Sequence, residues 1–206
     1  MEYTGIDVSR WQGSINWALV KSAGVQFAIL RCGGSDGSVF TDKFFNYNYA
    51  ECKKNNIPVG AYYIVGKHCT DALAGLVDAQ HCEKIIKGKQ FEYPVIIDFE
   101  LPGVLTKQGN TAAVNTFCKY LENLGYYAMV YASDISGFKD RLIIKDLQAF
   151  DKWVARYGSK PKYVWPCGIW QYSSSGKVPG INGRVDMNIS YNNYPDIMRK
   201  YHLNGF

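Results

Sequence analysis

The chain has no apolar run long enough to cross a bilayer, no basic-then-apolar leader, no Cys-x-x-Cys pair and only three histidines. Each absence removes a class of protein. Without about 20 consecutive apolar residues, no membrane insertion is expected. The opening Met-Glu-Tyr-Thr-Gly-Ile-Asp lacks the pattern of a secretory signal, so a chain begun at Met1 is expected to be made in the cytoplasm. The six cysteines (32, 52, 69, 82, 118 and 167) are scattered, which argues against a zinc ribbon or dithiol redox motif and for six reduced thiols. His68, His81 and His202 have no metal-ligand spacing, and no His-Glu-x-x-His occurs; neither a metal nor another cofactor is expected. The net charge of +5 is mild, with no Lys/Arg stripe. Nucleic acid is therefore not an expected partner, although an anionic surface would be weakly favoured.

What is present is enough for one core. The 206 residues suit a single domain spanning 1–206, expected as a monomer. Apolar runs give eight candidate strands: 4–9, 27–32, 59–65, 94–100, 127–132, 152–156, 168–172 and 185–189. Between the early ones lie helical patterns at 15–23, 42–55 (after Thr41 as N-cap), 71–87 and 111–124 (after Asn110), with a further helix expected within 135–149. Strand and helix in alternation predict parallel strands wrapped by helices, and eight such strands suggest a closed barrel. The last third departs from this pattern. The stretch Ser173 to Arg184 is rich in Gly, Ser and Pro and carries no helical stripe, whereas a parallel crossover usually needs a helix. The expected fold is an α/β irregular TIM-like barrel: five β/α units, then three strands with reduced helical cover, the last antiparallel.

The most informative residues are Asp98-Phe99-Glu100. They end the run Tyr93-Pro94-Val95-Ile96-Ile97, which lacks alternation and reads as a strand buried on both faces. Residues i and i+2 of a strand share a side, with Cα atoms roughly 6.5–7 Å apart. Two acids held that close repel each other and are partly desolvated, which raises one pKa and leaves a proton donor beside an ionised partner. Glycosidic bond cleavage requires that division. Functional residues of such barrels stand at the C-terminal strand ends. Asp7, Arg31, Tyr62, Tyr63, Tyr131, Arg156, Tyr157, Gln171 and Tyr172 all fall there. Asp186 opens the eighth strand, and if that strand is antiparallel its start is on the same face. Four acids (Asp7, Asp98, Glu100 and Asp186) then ring one mouth. Plainer roles compete: Asp7 as a turn acid, Asp186 paired with Arg184, Asp98 and Glu100 in an ion pair with Arg31 or Arg156, Trp153 and Trp170 as packing.

The ordered segments Asp7-Val8-Ser9-Arg10-Trp11-Gln12-Gly13-Ser14-Ile15-Asn16-Trp17, Phe27-Ala28-Ile29-Leu30-Arg31, Gly60-Ala61-Tyr62, Asp98-Phe99-Glu100, Trp153-Val154-Ala155-Arg156-Tyr157, Trp170-Gln171-Tyr172-Ser173 and Val185-Asp186-Met187-Asn188 resemble the family 25 glycoside hydrolases, the lysozymes of phages and bacteria. The resemblance runs from about residue 3 to 194. It implies hydrolysis of the β-1,4 bond between N-acetylmuramic acid and N-acetylglucosamine in bacterial peptidoglycan, by an endolysin or autolysin acting on the cell wall, on an irregular barrel. It makes Glu100 the general acid/base and Asp98 either the carboxylate steadying an oxazolinium or the nucleophile. Asp7 and Asp186 become supporting acids, and Tyr62 a partner of the acetamido group. Arg31, Tyr131, Trp153 and Gln171 complete the expected substrate contacts. Trp11, Asn16 and Tyr63-Ile64 depart from the family's usual Tyr, Asp and His-aromatic, which touches fine contacts but not the acids. The rival expectations are a non-catalytic glycan-binding barrel and a chitinase-like hydrolase.

Overall fold

A computed structural model describes residues 1–100 and 106–206. Its strands are β1 (Tyr3–Val8), β2 (Phe27–Gly34), β3 (Phe40–Thr41), β4 (Val59–Ile64), β5 (Val95–Asp98), β6 (Ala128–Ser133), β7 (Asp151–Ala155), β8 (Ile169–Gly176) and β9 (Val185–Ser190). Eight of these close on themselves in the order β1-β2-β4-β5-β6-β7-β8-β9, because β1 pairs with both β2 and β9. β3 is a short ninth strand outside the ring, hairpinned onto the end of β2. Neighbours from β1 through β2 and β4 to β8 are parallel, whereas β9 is antiparallel to both β8 and β1. The expected irregular barrel with its reversed last strand is therefore observed.

Helices α1 (Trp17–Ser22), α2 (Phe45–Lys54), α3 (Ala72–Ile86) and α4 (Lys107–Asn123) cover the first half. Two starts differ from the sequence reading. α4 begins four residues before Thr111, where Thr106 accepts a hydrogen bond from the Gly109 amide; the polar first turn conceals it from an apolar-stripe argument. α2 starts at Phe45 without a side-chain cap, because Asp42, not Thr41, organises the turn and accepts from the Phe44 amide at 3.0 Å. The fifth crossover holds no α-helix: a π turn (Asp134–Lys139) and a 3-10 turn (Ile144–Leu147) replace the helix expected within 135–149. Asp134 explains part of this. Its buried carboxylate accepts from the amides of Lys162, Tyr163 and Val164 and from Arg156 Nη1 at 2.8 Å, so it pins the helix-free loop between β7 and β8.

A final helix, α5 (Tyr194–Tyr201), was not legible from periodicity. It turns Tyr194 and Met198 into the lower end of the barrel, where Phe27 and Tyr93 stack at 4.3 Å and Tyr194 lies 5.4 Å from Tyr93. Gly5 makes room for that stack, since a Cβ there would come 2.4 Å from the Phe27 ring. Buried Asn204 fastens the tail, accepting from the Tyr127 amide and donating to the Tyr93 carbonyl. Each large apolar side chain so buried contributes roughly 1.5–3 kcal/mol. The larger core lies between the barrel wall and the helices. All six cysteines are buried free thiols.

Candidate active site

Strand register sets the site. In antiparallel β1/β9, Asp7 stands directly opposite Asp186. In the parallel wall, Asp98 of β5 is level with Tyr131 of β6 and Ile64 of β4. Alternation aims Asp7, Arg31, Tyr62, Asp98, Tyr131, Trp153 and Gln171 inward at the upper end, above the apolar layer of Ile29, Ile96, Met129 and Ile169. Asp7, Tyr62, Asp98, Glu100, Tyr131, Trp153, Tyr157, Gln171, Ser174 and Asp186 line one cavity of about 300 Å³. All four acids expected from the sequence thus share a single pocket.

The carboxyl groups are unlike one another. Asp98 is 4% exposed and its Oδ1 has no hydrogen-bond partner among the described residues. Burial, then the charges of Glu100 and Asp7, push its pKa well above the usual carboxylate range, with Arg31 opposing. Glu100 is exposed at the mouth. Its pKa is also raised by desolvation, while donation from Tyr131 lowers it. Burial thus favours a proton on this pair of carboxyl groups, of which Asp98 lies the deeper. Asp7 is pushed up to about 8, first by burial and then by Asp186, against hydrogen bonds from Asn188 and Gln171. Asp186 is also raised by burial and by Glu100, and a hydrogen bond with Asp7 lowers it. Like charges directly opposite in a strand pair repel, and one proton shared by Asp7 and Asp186 relieves that.

Polar residues of the later strands hold these acids in place. Asp7 Oδ2 accepts from Gln171 Nε2 at 2.9 Å and from Asn188 Nδ2 at 2.8 Å. Asn188 is fixed in turn by Trp153, whose indole N–H donates to its Oδ1 at 2.8 Å. Tyr131 Oη lies 3.0 Å from Glu100 Oε1 and 2.9 Å from Gln171 Oε1. A phenol has one proton to donate. If Tyr131 donates to Gln171, Glu100 must be the acid that donates to Tyr131. If Glu100 is ionised, Tyr131 turns to it and Gln171 keeps the donation from Tyr157 at 3.2 Å. Burial and the Glu100 charge hold the Tyr131 phenol well above its ordinary pKa, so it stays a donor.

The other expected contacts divide. Tyr62 is half-buried in the wall, edge-on to Trp153 at 6.1 Å. Trp153 is 1% exposed and serves as floor, bonded to Asn188. Gln171 has both ends of its amide engaged and positions Asp7 and Tyr131. Arg31 lies outside the cavity lining. It is buried and paired with Asp42, Nη2 to Oδ2 at 2.7 Å, and acts on Asp98 through its charge. Arg156 pairs with Asp134. Neither arginine ties up Asp98 or Glu100, so the ion-pair alternative has no counterpart here. The sequence reading passed over Asn188 as a site residue. A polar Asn two residues after Asp186, on the same side of the strand, was the available signal.

A model of "Glycosyl hydrolases family 25" matches residues 6–181. The chain is 30% identical over 204 residues to Lysozyme M1 of Streptomyces globisporus, covering 89% of this chain and 66% of that protein. Its fold matches the bacterial lysozyme of Streptomyces coelicolor with a TM-score of 0.79 at 27% identity, over 92% of each chain. It also matches the modular autolysin LytC of Streptococcus pneumoniae, solved with a synthetic peptidoglycan ligand, with a TM-score of 0.81 at 26% identity, over 92% of this chain and 47% of that one. The matched span runs from β1 into the loop before β9 and carries Asp7, Asp98 and Glu100, three of the four acids in the cavity. With that span on this barrel, the chain belongs to family 25 of the glycosyl hydrolases and is a glycoside hydrolase.

Proposed function

We propose that this protein is a peptidoglycan hydrolase that cuts the β-1,4 bond between N-acetylmuramic acid and N-acetylglucosamine, acting as a single catalytic domain and a monomer on the cell wall. The family, the lysozyme relatives and the relative solved with a peptidoglycan ligand support this reading. The observation that carries it is a cavity ringed by four carboxyl groups, one of which, Asp98, keeps a buried oxygen without a partner among the described residues. A buried unsatisfied acceptor costs about 1–3 kcal/mol, and an incoming N–H of an acetamido group would relieve it. Tyr62, on the adjoining strand, would take the other polar end of that group.

Glu100, at the mouth and bonded to Tyr131, protonates the leaving oxygen. A bound saccharide excludes water from Glu100 and raises its pKa further, while positive charge developing on the sugar favours the ionised form of Asp98. The proton held jointly by the pair thus comes to rest on the residue that must give it away. Asp98 then steadies an oxazolinium formed by the substrate's own acetamido oxygen, water opens it with Glu100 as base, and the product keeps its anomeric configuration. Gln171, Asn188 and the Asp7/Asp186 pair fix this geometry. The reading covers an endolysin and an autolysin alike. Mass spectrometry of fragments released from purified walls tests it: a new muramic acid reducing end is expected. An N-acetylglucosamine reducing end, or release of peptides alone, would overturn it. Faster release from chitin than from walls would favour the chitinase-like alternative.

A further inference from the structure

Two aromatic rims face each other across the mouth. In the closed order, β2 and β7 are four strands apart and so diametrically opposed. Tyr157, just after β7, is 57% exposed and lines the cavity. Trp11 is 74% exposed in the turn after β1, three strands from β7, and the Arg10 guanidinium lies 5.0 Å from its ring and 5.6 Å from that of Phe40, which is hairpinned onto the opposed β2. Phe40, on β3 outside the ring, joins this turn to the end of β2: its ring is also 5.6 Å from the guanidinium of Arg31, whose charge acts on Asp98. The Arg10–Trp11–Phe40 stack therefore stands at the upper ends of β1 and β2, beside the Arg31–Asp42 pair and outside the cavity lining.

This rim is held rigidly. Ser9 accepts from the Trp11 amide, Gln12 Oε1 accepts from the Ser9 amide, and the Arg10 amide donates to buried Asp42 at 2.9 Å. Yet what the turn presents does little for folding. An indole so exposed buries little area, and among the described residues no carboxylate lies within ion-pair distance of the Arg10 guanidinium. A flat indole face suits a sugar ring, and a planar guanidinium beside it suits a carboxylate. The four acids of the pocket repel an anion, so a carboxylate carried by the substrate has to be met away from them, at a cationic rim.

We propose that Arg10, Trp11 and Phe40 form a rim subsite that takes a sugar unit bearing a carboxylate substituent, with the saccharide chain running across the mouth from Tyr157. The proposal rests on the glycan-cleaving reading above. The carboxylate could be the lactyl group of a muramic unit or belong to a peptide attached to it.

Calorimetry separates these, using Glu100→Gln protein to prevent turnover and three soluble saccharides of equal length. One carries only N-acetylglucosamine, one has free lactyl carboxylates, and one carries stem peptides. Arg10→Gln is expected to weaken binding of a carboxylate-bearing saccharide about tenfold, the size of one charge-assisted hydrogen bond, and that of the uncharged one far less. Loss with the peptide-bearing ligand alone assigns the carboxylate to the peptide. Loss with the free-lactyl ligand alone assigns it to the lactyl group, whose carboxyl a stem peptide ties up as an amide, and loss with both makes the subsite one that accepts either carboxylate. Trp11→Ala is expected to weaken all three. Equal losses across the three for Arg10→Gln, or no loss for either variant, would overturn the subsite. If the parent protein binds none of the three, the glycan reading itself fails and takes the subsite with it.

Discussion

At the lower end of the barrel Phe27, Tyr93, Tyr194 and Met198 close on one another, and the Tyr194 hydroxyl is engaged by donating to Asp151. A few residues beyond Phe27 and Tyr93 in the chain, at the upper end, stand Arg31 of β2 and Asp98 of β5, with Tyr131 of β6 and Gln171 of β8. The lower end is stabilised by contact area. The upper end holds four carboxyl groups whose ionised forms burial opposes, kept in place by a relay of amides and a phenol. Within one tube, side chains of one strand parity pass from apolar to acidic, so stability and reactivity are assigned to different layers. Changes at one end should therefore leave the other end's property largely intact.

The largest expected effect is at the mouth. Glu100→Gln keeps the fold and should lower the release of reducing ends by about 10³-fold or more, the upper range for a lost general acid; near-normal release would remove Glu100 from that role. At the opposite end, Phe27→Ala should cost about 3–5 kcal/mol of stability in urea unfolding, with kcat on surviving folded protein little changed. A proportionate loss of kcat would mean the two layers are coupled. Asp98→Asn should lower kcat by about 10²–10³ with a smaller change in KM, and an unchanged kcat would exclude an electrostatic role. The smallest effect has a signed pH dependence. Asp7 is raised to about 8 in the folded state, while an unfolded Asp titrates near 3.9. The native state therefore holds a proton that the unfolded chain releases, and stability falls as pH rises from about 4 through the folded value. Asp7→Asn keeps an acceptor for Gln171 and Asn188 and removes that penalty. Its melting temperature should match wild type near pH 4 and exceed it at pH 8–9 by roughly 2–4 °C per kcal/mol gained. A constant difference across pH would contradict the shared proton.

Much of the fold was legible because eight short apolar runs with turn residues between them leave few arrangements. The missing crossover helix in Ser173–Arg184 was enough to reverse the last strand, and that reversal brought Asp186 to the mouth. Less legible were features fixed by a single buried polar group. Asp134 holds a loop through three backbone amides that no periodicity announces. Asp42 draws Arg31 away from the pocket lining from eleven residues away. The eight-residue helix α5 shows its inward face only through Tyr194 and Met198, too few positions to make a stripe.

The sequence by itself determined the eight strands of the ring, though not the short β3 outside it, the order of parallel and antiparallel neighbours and which four acids meet at one mouth, because these follow from local periodicity and from residue types placed at strand ends. Only the tertiary structure decided how those acids differ. Depth in the barrel, cross-strand register and the hydrogen bonds of Gln171, Asn188 and Tyr131 set each proton affinity, and these are contacts between residues far apart in the chain. Desolvation and Coulomb repulsion depend on position in space, so two carboxylates that look equivalent two residues apart become unequal once one of them lies a layer deeper.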